Sequence, residues 1–285
     1  MRVAVIGAKG QLGHDVVRAL SDHTLFPLTR SELDIRDFED THKVLGDIRP
    51  DFVINTAALT RVDDCEDEVS EAFGVNAFGP RHLAQICAAF DCLLVHISTD
   101  YVFGGEKRTP YVEDDAPNPL SAYGVSKLAG EYFVRTICPK HLVVRTSGLY
   151  GVAGSSGKRG NFVETMIRLA QQGKSIRVVN DQVLTPTYTR DVAEKIAELS
   201  RTDAYGIYHL TNDGHCSWYE FAARLFALLG LHPDFAPTTT AEFGAKARRP
   251  AYSVLAQDRW RELRLGALRP WPAALAAYCQ EKGYL

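Results

Sequence analysis

Apolar residues form short, nearly continuous runs in the first half of the chain, and amphipathic segments lie between them. The runs are RVAVIG (2–7), DFVINTAA (51–58), CLLVHIST (92–99) and HLVVRTS (141–147). Strands buried on both faces of a parallel sheet have this composition. The intervening segments, such as QLGHDVVRALSD and SAYGVSKLAGEYFVRTI, carry apolar residues at helical spacing. This alternation predicts stacked βαβ units.

Two prolines modify this pattern. The run TLFPLT (24–29) contains Pro27, which predicts an edge or irregular strand because proline donates no ladder hydrogen bond. The helical segment EVSEAFGVNAFGPRHLAQICAAF contains Pro80, which predicts a kink or a late helix start.

The second half begins with a loop rich in glycine and serine, GVAGSSGKRG (151–160). After it, NFVETMIRLAQQG, TRDVAEKIAELS, WYEFAARLFALLG and WPAALAAYCQEKG predict helices, and SIRVVND and GIYHLTN predict strands. We therefore expect an α/β fold, a Rossmann-type doubly wound parallel sheet with a smaller, discontinuous C-terminal cap. The expected boundaries are 1–150 with about 183–205 for the sheet domain, and about 151–182 with 206–285 for the cap.

Composition narrows the classes of partner. The 285 residues are 46% hydrophobic and carry a net charge of −3, which argues against nucleic acid and acidic membranes as partners. The apolar run of MRVAVIGAKGQLG is too short for a signal peptide, so we expect a cytoplasmic protein. The six cysteines are widely spread along the chain with no C-x-x-C pair, which favours reduced, mostly buried thiols.

The segment GAKGQLG predicts a dinucleotide site. Gly7, Gly10 and Gly13 follow the first strand and open a helix, where glycine permits a tight turn and close approach to a pyrophosphate. The second strand ends LTRSELD, where Arg30 suits a 2′-phosphate; this favours NADPH, with NADH as the alternative. Asp34, followed by Ile35, is placed to contact the adenine side. An ordinary solvated charge is the other interpretation of Arg30.

The segment SAYGVSK supplies a candidate acid. Tyr123 and Lys127 lie one helical turn apart, and a phenol that cycles near neutral pH needs a neighbouring cation. The strand end HISTDYVF adds Ser98 and Thr99 at the sheet edge where the cofactor is expected. An isolated Y-x-x-x-K pattern is common by chance, so the glycine loop and the strand end carry the argument. Together they indicate carbonyl reduction or its reverse.

These motifs resemble those of the extended short-chain dehydrogenases/reductases, and more narrowly the dTDP-4-dehydrorhamnose reductase family. The similarity runs through GAKGQLG, VINTAALTRVDDCE, STDYVFGG, NPLSAYGVSKLAGE, RTSGLYG, NDQVLTPTYTRDVA, WYEFA and RRPAYSVL. It implies NAD(P)H-dependent reduction of the C4 keto group of dTDP-4-dehydro-β-L-rhamnose to dTDP-L-rhamnose. The implied partner is a small nucleotide sugar, and a homodimer is compatible with the family.

The resemblance also implies individual roles. It makes Tyr123 the proton donor, Thr99 its hydroxyl partner, and Lys127 the group that binds the nicotinamide ribose and lowers the pKa of the phenol. It places the pyrophosphate against Gly7, Gly10, Gln11, Leu12 and Gly13, and more of the cofactor against Ala57, Ala58, Leu59 and Thr60. Asp100 and Tyr101 would face the sugar.

The candidate site residues in the second half of the chain each have a simpler structural explanation. Asn161 could bind nucleotide or cap a helix, and Arg249 could clamp a diphosphate or lie in a solvated basic turn. Asn76 could brace the active-site helix or be a buried polar residue without that duty. Asp15 matches an acidic position tied to a metal-dependent dimer in some family members, but we expect no metal here.

One departure from the family concerns the sugar. Many members carry tryptophan where RTSGLYG has Gly148, so either another residue, such as Tyr150 or Tyr101, replaces that indole or the accepted sugar differs. Two alternatives therefore remain beside the implied reaction. The chain could be a reductase or epimerase for another nucleotide 4-keto sugar. It could also be a non-catalytic cofactor-binding subunit, since it resembles the β subunit of methionine adenosyltransferase as well.

Overall fold

The computed structural model describes residues 1–154 and 160–285, so half of the glycine- and serine-rich loop predicted at 151–160, residues 155–159, lies outside the described residues. The strands are β1 (Arg2–Ile6), β2 (Thr24–Leu28), β3 (Phe52–Asn55), β4 (Leu93–Thr99), β5 (His141–Thr146), β6 (Leu149–Tyr150), β7 (Ile176–Val179), β8 (Val183–Leu184), β9 (Thr187–Tyr188), β10 (Gly206–His209), β11 (Cys216–Ser217) and β12 (Phe235–Thr238). The α-helices are α1 (Gln11–Ala19), α2 (Phe38–Ile48), α3 (Val69–Phe73), α4 (Gly79–Ala89), α5 (Ala122–Ile137), α6 (Phe162–Gln171), α7 (Thr189–Leu199), α8 (Trp218–Leu229), α9 (Thr240–Phe243), α10 (Asp258–Glu262) and α11 (Trp271–Glu281).

The main sheet has six parallel strands in the order β10-β5-β4-β3-β1-β2. The strand order changes direction at β1, because β2 lies on one side of β1 and β3 lies on the other. Such a switch point opens a crevice at the carboxyl ends of the strands. This is the Rossmann topology that the apolar runs predict. The weak strand β2 is one of the two edge strands, as Pro27 indicated, because an edge position needs no N–H from proline.

Helices cover both faces of this sheet. On one face, α1 and α7 contribute Leu12, Val16, Val192 and Ile196 to a core shared with alternate sheet residues. On the other face, α2, α4 and α5 pack over a second core. Each fully buried side chain of this size stabilises the fold by ~1.5–3 kcal/mol. The doubly wound arrangement follows from strands that are apolar on both faces.

The cap has its own core, built from β7, α6, α8 and α11 around Tyr150, Phe221 and Tyr278. One expectation about the cap was wrong. The strand at 206–209 was assigned to it, but β10 pairs with β5 at the edge of the main sheet. Ile207 and Tyr208 fill the cores on opposite faces of that sheet. A short apolar strand does not reveal its pairing partner in sequence.

The segment around Pro80 forms α3, a π-helical turn at Gly74–Phe78, and α4. Pro80 lies in the first turn of α4, where its missing N–H costs nothing. The π-helical turn holds Asn76, which is fully buried. Such turns are common at functional sites.

No helix among residues 1–154 and 160–285 is long and apolar enough to cross a membrane. The six cysteines, Cys65, Cys87, Cys92, Cys138, Cys216 and Cys279, are buried free thiols.

Candidate active site

A cleft of about 680 Å³ lies at the carboxyl ends of β1, β3, β4 and β5, between the sheet and the cap. The predicted site residues that line it are Gly10, Gln11, Leu12, Gly13, Ala58, Thr60, Thr99, Asp100, Tyr101, Tyr123, Lys127 and Asn161. The other predicted site residues lie outside its lining: Gly7, Arg30, Asp34, Ile35, Ala57, Leu59 and Arg249. The structure thus brings the glycine loop and the tyrosine helix to one cleft, from positions more than a hundred residues apart in sequence.

The glycine loop fits a pyrophosphate. Gly7 has a φ of +80°, a left-handed value that favours glycine, and a Cβ there would lie 2.9 Å from the amide nitrogen of Ala57. A Cβ on Gly13 would lie 2.3 Å from the carbonyl oxygen of Gly7, so the helix can approach the strand only without a side chain. Gly10 is different: a Cβ there would meet only the Gly7 carbonyl, at 3.1 Å. Its outer side is therefore open to a ligand at the start of α1.

The end of β2 carries charged groups that already have partners. Arg30 is exposed, and its guanidinium lies 3.8 Å from Asp34 and 3.5 Å from Glu71. Asp34 accepts from Nε and Nη2 of Arg36, and this hydrogen bonding lowers its pKa. The side chain of Ile35 is buried in the core. Of these predicted residues, only Arg30 has a side chain exposed enough to turn towards a 2′-phosphate.

Asn76 fixes the loop after β3. Its Oδ1 accepts from the Leu59 amide at 2.9 Å, and its Nδ2 donates to the Leu59 carbonyl and to Ser126 Oγ, both at 3.1 Å. Because Ser126 belongs to α5, this buried amide ties the loop to the helix that carries Tyr123. Ala57 is held in the same way, since its amide donates to Asn55 Oδ1 at 3.1 Å. Asn76 therefore braces the helix that carries Tyr123, which was one of the two roles considered for it.

Helix α5 presents Tyr123 near its first turn. Ser121 caps the helix by accepting from the Gly124 amide at 3.2 Å, and Glu66 accepts from the Ala122 amide at 2.8 Å. Burial raises the pKa of Tyr123 above that of a free phenol, and a hydrogen bond with Thr99 opposes this increase. The phenol is therefore protonated at neutral pH.

Lys127 lies one turn further along α5 and is almost fully buried, with 2% of its surface exposed. Its Nζ donates to the Ile97 carbonyl at 2.6 Å. Burial lowers the pKa of Lys127 to about 8, and the charge of Glu131 opposes this decrease. At neutral pH the ammonium is still mainly charged. The pKa of Tyr123 lies above its ordinary value because burial outweighs the other influences, and the lowering by Lys127 that the family resemblance implies stays a prediction.

A buried ion pair lies behind these residues and was missed in the sequence. Glu131 receives hydrogen bonds from Arg145 Nε at 2.9 Å, from Arg145 Nη2 at 2.7 Å and from Ser98 Oγ at 2.5 Å. The hydroxyl of Ser98 is thus committed to Glu131, which leaves Thr99 as the partner of Tyr123. Glu131 follows Lys127 by four residues on the same helix face, and that spacing was the available signal.

Asp100 is buried at the end of β4 and surrounded by hydroxyl groups. It accepts from Ser147 Oγ at 2.9 Å and Ser253 Oγ at 2.5 Å through Oδ2, and from Thr99 Oγ1 at 3.1 Å through Oδ1. Burial raises the pKa of Asp100 to about 6. Its carboxylate connects the ends of β4 and β5 to the cap. Tyr101, beside it, meets Tyr123 edge-on with ring centroids 5.8 Å apart.

Two cap candidates also have structural partners. Arg249 forms a two-pronged ion pair with Asp63, with nitrogen–oxygen distances of 3.0 and 2.7 Å, and donates to the Ala247 carbonyl at 3.1 Å. Asn161 is the N-cap of α6: its Oδ1 accepts from the Glu164 amide at 3.0 Å, and its Nδ2 donates to the Gly151 carbonyl at 3.0 Å. Both side chains join separate segments of the chain.

Three cleft residues were not singled out as site residues in the sequence. Thr146 at the end of β5 is buried, and within the described residues its Oγ1 has no hydrogen-bond partner. It pairs in register with Thr99 on the neighbouring strand. Arg168 of α6 and Trp218 of α8 line the cap side of the cleft. Parallel register and helix packing bring these side chains to the cleft, and neither can be read from local sequence.

Gly148 also lines the cleft, with a φ of +53°. A Cβ there would lie 2.7 Å from Leu184 Cδ1, so a side chain at this position would have to displace the end of the Leu184 side chain and would strain the backbone at this positive φ. Tyr150 is buried away from the cleft lining, whereas Tyr101 lines it. Tyr101 therefore remains as a replacement for the missing indole.

Asp15 faces the interior of the protein. It accepts from Thr189 Oγ1 at 2.5 Å, which joins α1 to α7. In the part of the chain that the structure describes, no group of three or more His, Cys, Asp or Glu residues is arranged to hold a metal ion.

Comparison with known proteins extends over almost the whole chain. The model of the RmlD substrate binding domain family matches residues 1–283. The spore coat polysaccharide biosynthesis protein SpsK of Bacillus subtilis (strain 168) is 41% identical over 285 residues, which cover 99% of this chain and 98% of that protein. A dTDP-4-keto-6-deoxy-D-glucose reductase of Streptomyces niveus is 40% identical over 278 residues, or 96% of this chain and 95% of that one.

The fold is also similar to a solved structure. The crystal structure of dTDP-4-dehydrorhamnose reductase from Bacillus anthracis str. Ames in complex with NADP superposes with a TM-score of 0.94 at 39% identity. The match covers 98% of this chain and 99% of that one.

Proposed function

Since this chain belongs to the dTDP-4-dehydrorhamnose reductase family, we propose that it reduces the C4 keto group of dTDP-4-dehydro-β-L-rhamnose with NADPH. The product is dTDP-L-rhamnose, a precursor of cell-surface polysaccharides. The observation that carries the proposal is the placement of Tyr123 and Thr99 in the cleft that the glycine loop also lines.

Reduction of a ketone adds a hydride to carbon and a proton to oxygen. When bound, NADPH supplies the hydride. Tyr123 supplies the proton: its O–H bond breaks, a new O–H bond forms on the sugar, and a phenolate is left. The high pKa of Tyr123 keeps this proton in place until negative charge develops on the carbonyl oxygen. Thr99 stabilises the phenolate by turning its single O–H from Asp100 Oδ1 to the phenolate oxygen.

Lys127 favours the same step. Both residues line the cleft, and a buried ammonium there favours the phenolate left after proton transfer, because charges interact strongly where water is excluded. Glu131 keeps the ammonium charged, since its negative charge opposes the lowering of the lysine pKa by burial. Lys127 also holds the end of β4 through the Ile97 carbonyl. We assign it the roles of cation and cofactor contact.

The residues present fit NADPH. Gly10, Gln11, Leu12 and Gly13 provide the start of α1 for the pyrophosphate, and Ala58 and Thr60 line the cleft beyond β3. Arg30 is the group that would meet a 2′-phosphate, which is the basis for preferring NADPH over NADH.

A second candidate keeps the chemistry and changes the sugar. Gly148 leaves the cleft without the indole that many family members place there, and a relative with 40% identity is named for a different dTDP-linked keto sugar. A reductase for another nucleotide 4-keto sugar is therefore the alternative. An intact Tyr123, Thr99 and Lys127 argues against a non-catalytic subunit.

The deciding experiment is turnover by the purified protein with NADPH. We expect oxidation of NADPH with dTDP-4-dehydro-β-L-rhamnose and a product identified as dTDP-L-rhamnose by NMR. Parallel reactions contain dTDP-4-keto-6-deoxy-D-glucose or a GDP-linked 4-keto sugar. Turnover only with one of these would favour the second candidate. Binding of NADPH without turnover of any keto sugar would favour the non-catalytic subunit.

A homodimer and a cytoplasmic location are further parts of this proposal. Light scattering of the purified protein tests the first, and fractionation of cells with an antibody to the protein tests the second.

A further inference from the structure

Asp100, at the end of β4, is joined to the cap segment 251–256 by the hydroxyl of Ser253. We propose that Ser253 is a positioning residue: by donating to Asp100, it leaves the hydroxyl of Thr99 able to turn to the Tyr123 phenolate. The inference rests on the proposed function, because it concerns the proton-transfer step of that reaction.

The backbone and the neighbours of Ser253 fix the direction of its side chain. The Ser253 amide donates to the Val183 carbonyl at 2.9 Å, and Tyr252 and Val254 pack into a small core. The hydroxyl between them turns to Asp100. Ser253 is 3% exposed and lies outside the cleft lining, so a ligand in the cleft does not contact it. Any effect of Ser253 on catalysis must therefore pass through Asp100.

The carboxylate of Asp100 receives three hydroxyl hydrogen bonds from three segments of the chain. Ser253 and Ser147 donate to Oδ2 at 2.5 and 2.9 Å, and Thr99 donates to Oδ1 at 3.1 Å. Asp100 is itself 3% exposed, so these hydroxyls take the place of water around its charge. A buried charge with fewer donors holds each remaining donor more tightly, because each bond then carries more of the stabilisation of that charge.

Thr99 has one O–H and two acceptors that need it at different times. Before proton transfer the O–H points to Asp100 Oδ1, while the Tyr101 amide donates to Thr99 Oγ1 at 3.2 Å. After proton transfer the phenolate of Tyr123 competes for the same O–H. Ser253 lowers the cost of this exchange, because it keeps Oδ2 hydrogen-bonded when Oδ1 gives up Thr99. Without Ser253 the O–H stays on the carboxylate, and the phenolate loses a stabilising hydrogen bond.

Steady-state kinetics of the intact protein with NADPH and the keto sugar test this role, at a pH where Asp100 is ionised in every variant. We expect Ser253→Ala to lower kcat by about 10-fold, because part of a charge-assisted hydrogen bond is lost after proton transfer. The KM values for both substrates should not change, because Ser253 lies outside the cleft lining. Ser200→Ala is the matched control: Ser200 is a buried serine that donates to the Ala197 carbonyl at 3.1 Å, and its loss should leave kcat unchanged.

A double-mutant cycle separates positioning from packing. In a Thr99→Val background no O–H is left to be released, so Ser253→Ala should lower kcat no further. A packing defect would lower kcat by the same factor in both backgrounds. Equal losses in the two backgrounds, or an unchanged kcat in Ser253→Ala with Thr99 present, would overturn the inference.

An NMR titration of the Asp100 carboxyl group adds a readout that does not depend on turnover. Burial raises the pKa of Asp100 to about 6, and the hydrogen bonds from Ser253, Ser147 and Thr99 oppose this increase. Ser253→Ala removes one of these donors, so the pKa of Asp100 should rise further, whereas Ser200→Ala should leave it at about 6. An unchanged pKa in Ser253→Ala would contradict the contact and overturn the inference. Thermal melting checks that each variant is folded.

Failure of this inference differs from failure of the proposed function. Turnover of the keto sugar by the original protein, with an unaffected Ser253→Ala variant, would refute the positioning role and leave the reaction standing. No turnover of any keto sugar by the original protein would refute the reaction, and with it the step that Ser253 assists.

Discussion

Replacement of Tyr123 by phenylalanine removes the proposed proton donor and little else. The ring stays in α5 and keeps its edge-on contact with Tyr101, whose centroid lies 5.8 Å away. The hydroxyl that is lost has one protein partner of note, Thr99. We therefore expect the variant to fold, with a stability loss of about 0.5–1.5 kcal/mol for that hydrogen bond.

The effect on catalysis should be much larger. General acid catalysis contributes ~10²–10⁴-fold to a rate, so Tyr123→Phe should lower kcat by at least ~10²-fold. This corresponds to about 2.7 kcal/mol in activation free energy, more than the hydrogen bond contributes to folding. Because the cofactor is held mainly by the glycine loop, we expect NADPH affinity to remain nearly unchanged.

The assay combines NADPH oxidation with the keto sugar, calorimetric titration of NADPH, and thermal melting. Tyr150→Phe is the matched control: Tyr150 is buried outside the cleft lining, and its hydroxyl has no partner among the described residues. This control should retain full activity. A Tyr123→Phe variant that turns over at the original rate would refute the proton-donor role. Equal loss of activity in both variants would show that the effect comes from packing.

Three further predictions concern the same cleft. Lys127 loses its charge as pH rises through about 8, whereas Tyr123 stays protonated. We therefore expect kcat/KM to be constant near neutrality and to fall above about pH 8. A profile that is flat to about pH 10 would contradict the role of Lys127 as a cation. Thr146→Val should raise the KM for NADPH by ~10-fold through loss of a hydrogen bond to the cofactor. Thr211→Val is the control, because Thr211 is also buried and its hydroxyl has no partner among the described residues; its KM should not change. Equal effects of the two substitutions would refute a ligand contact for Thr146. Arg30→Ala should raise the KM for NADPH by ~10-fold and leave that for NADH unchanged, and a parallel change in both would show that Arg30 does not contact the 2′-phosphate.

The buried pair of Glu131 and Arg145 anchors the helix that carries the proposed catalytic residues. Glu131 is fully buried and binds Arg145 through both oxygens, at 2.9 and 2.7 Å. Loss of one member of a buried pair costs ~3–5 kcal/mol, because it leaves an unpaired charge in the interior. The pair joins α5 to β5 and so fixes the helix that presents Tyr123 to the sheet edge.

Much of the fold could be read from local pattern. Apolar runs buried on both faces gave the parallel strands, and Pro27 placed β2 at the edge. Both signals are local consequences of hydrogen bonding and burial. The strand with which β10 pairs could not be predicted in this way, because a short apolar strand can pair at any position where both of its faces are buried. The cap boundary was misplaced there for that reason.

The sequence by itself determined the types of residue at the site: glycines spaced for a tight phosphate-binding turn, and a tyrosine and lysine on one helix face after a Ser-Thr strand end. These are short-range constraints of backbone geometry and helical period. The tertiary structure decided which polar groups are already used. It paired Arg249 with Asp63, made Asn161 a helix cap and Ser98 a donor to Glu131, and left Thr146 without a described partner and Arg168 unpaired among the described residues. Partners of this kind depend on contacts between distant segments, and only the folded chain brings those segments together.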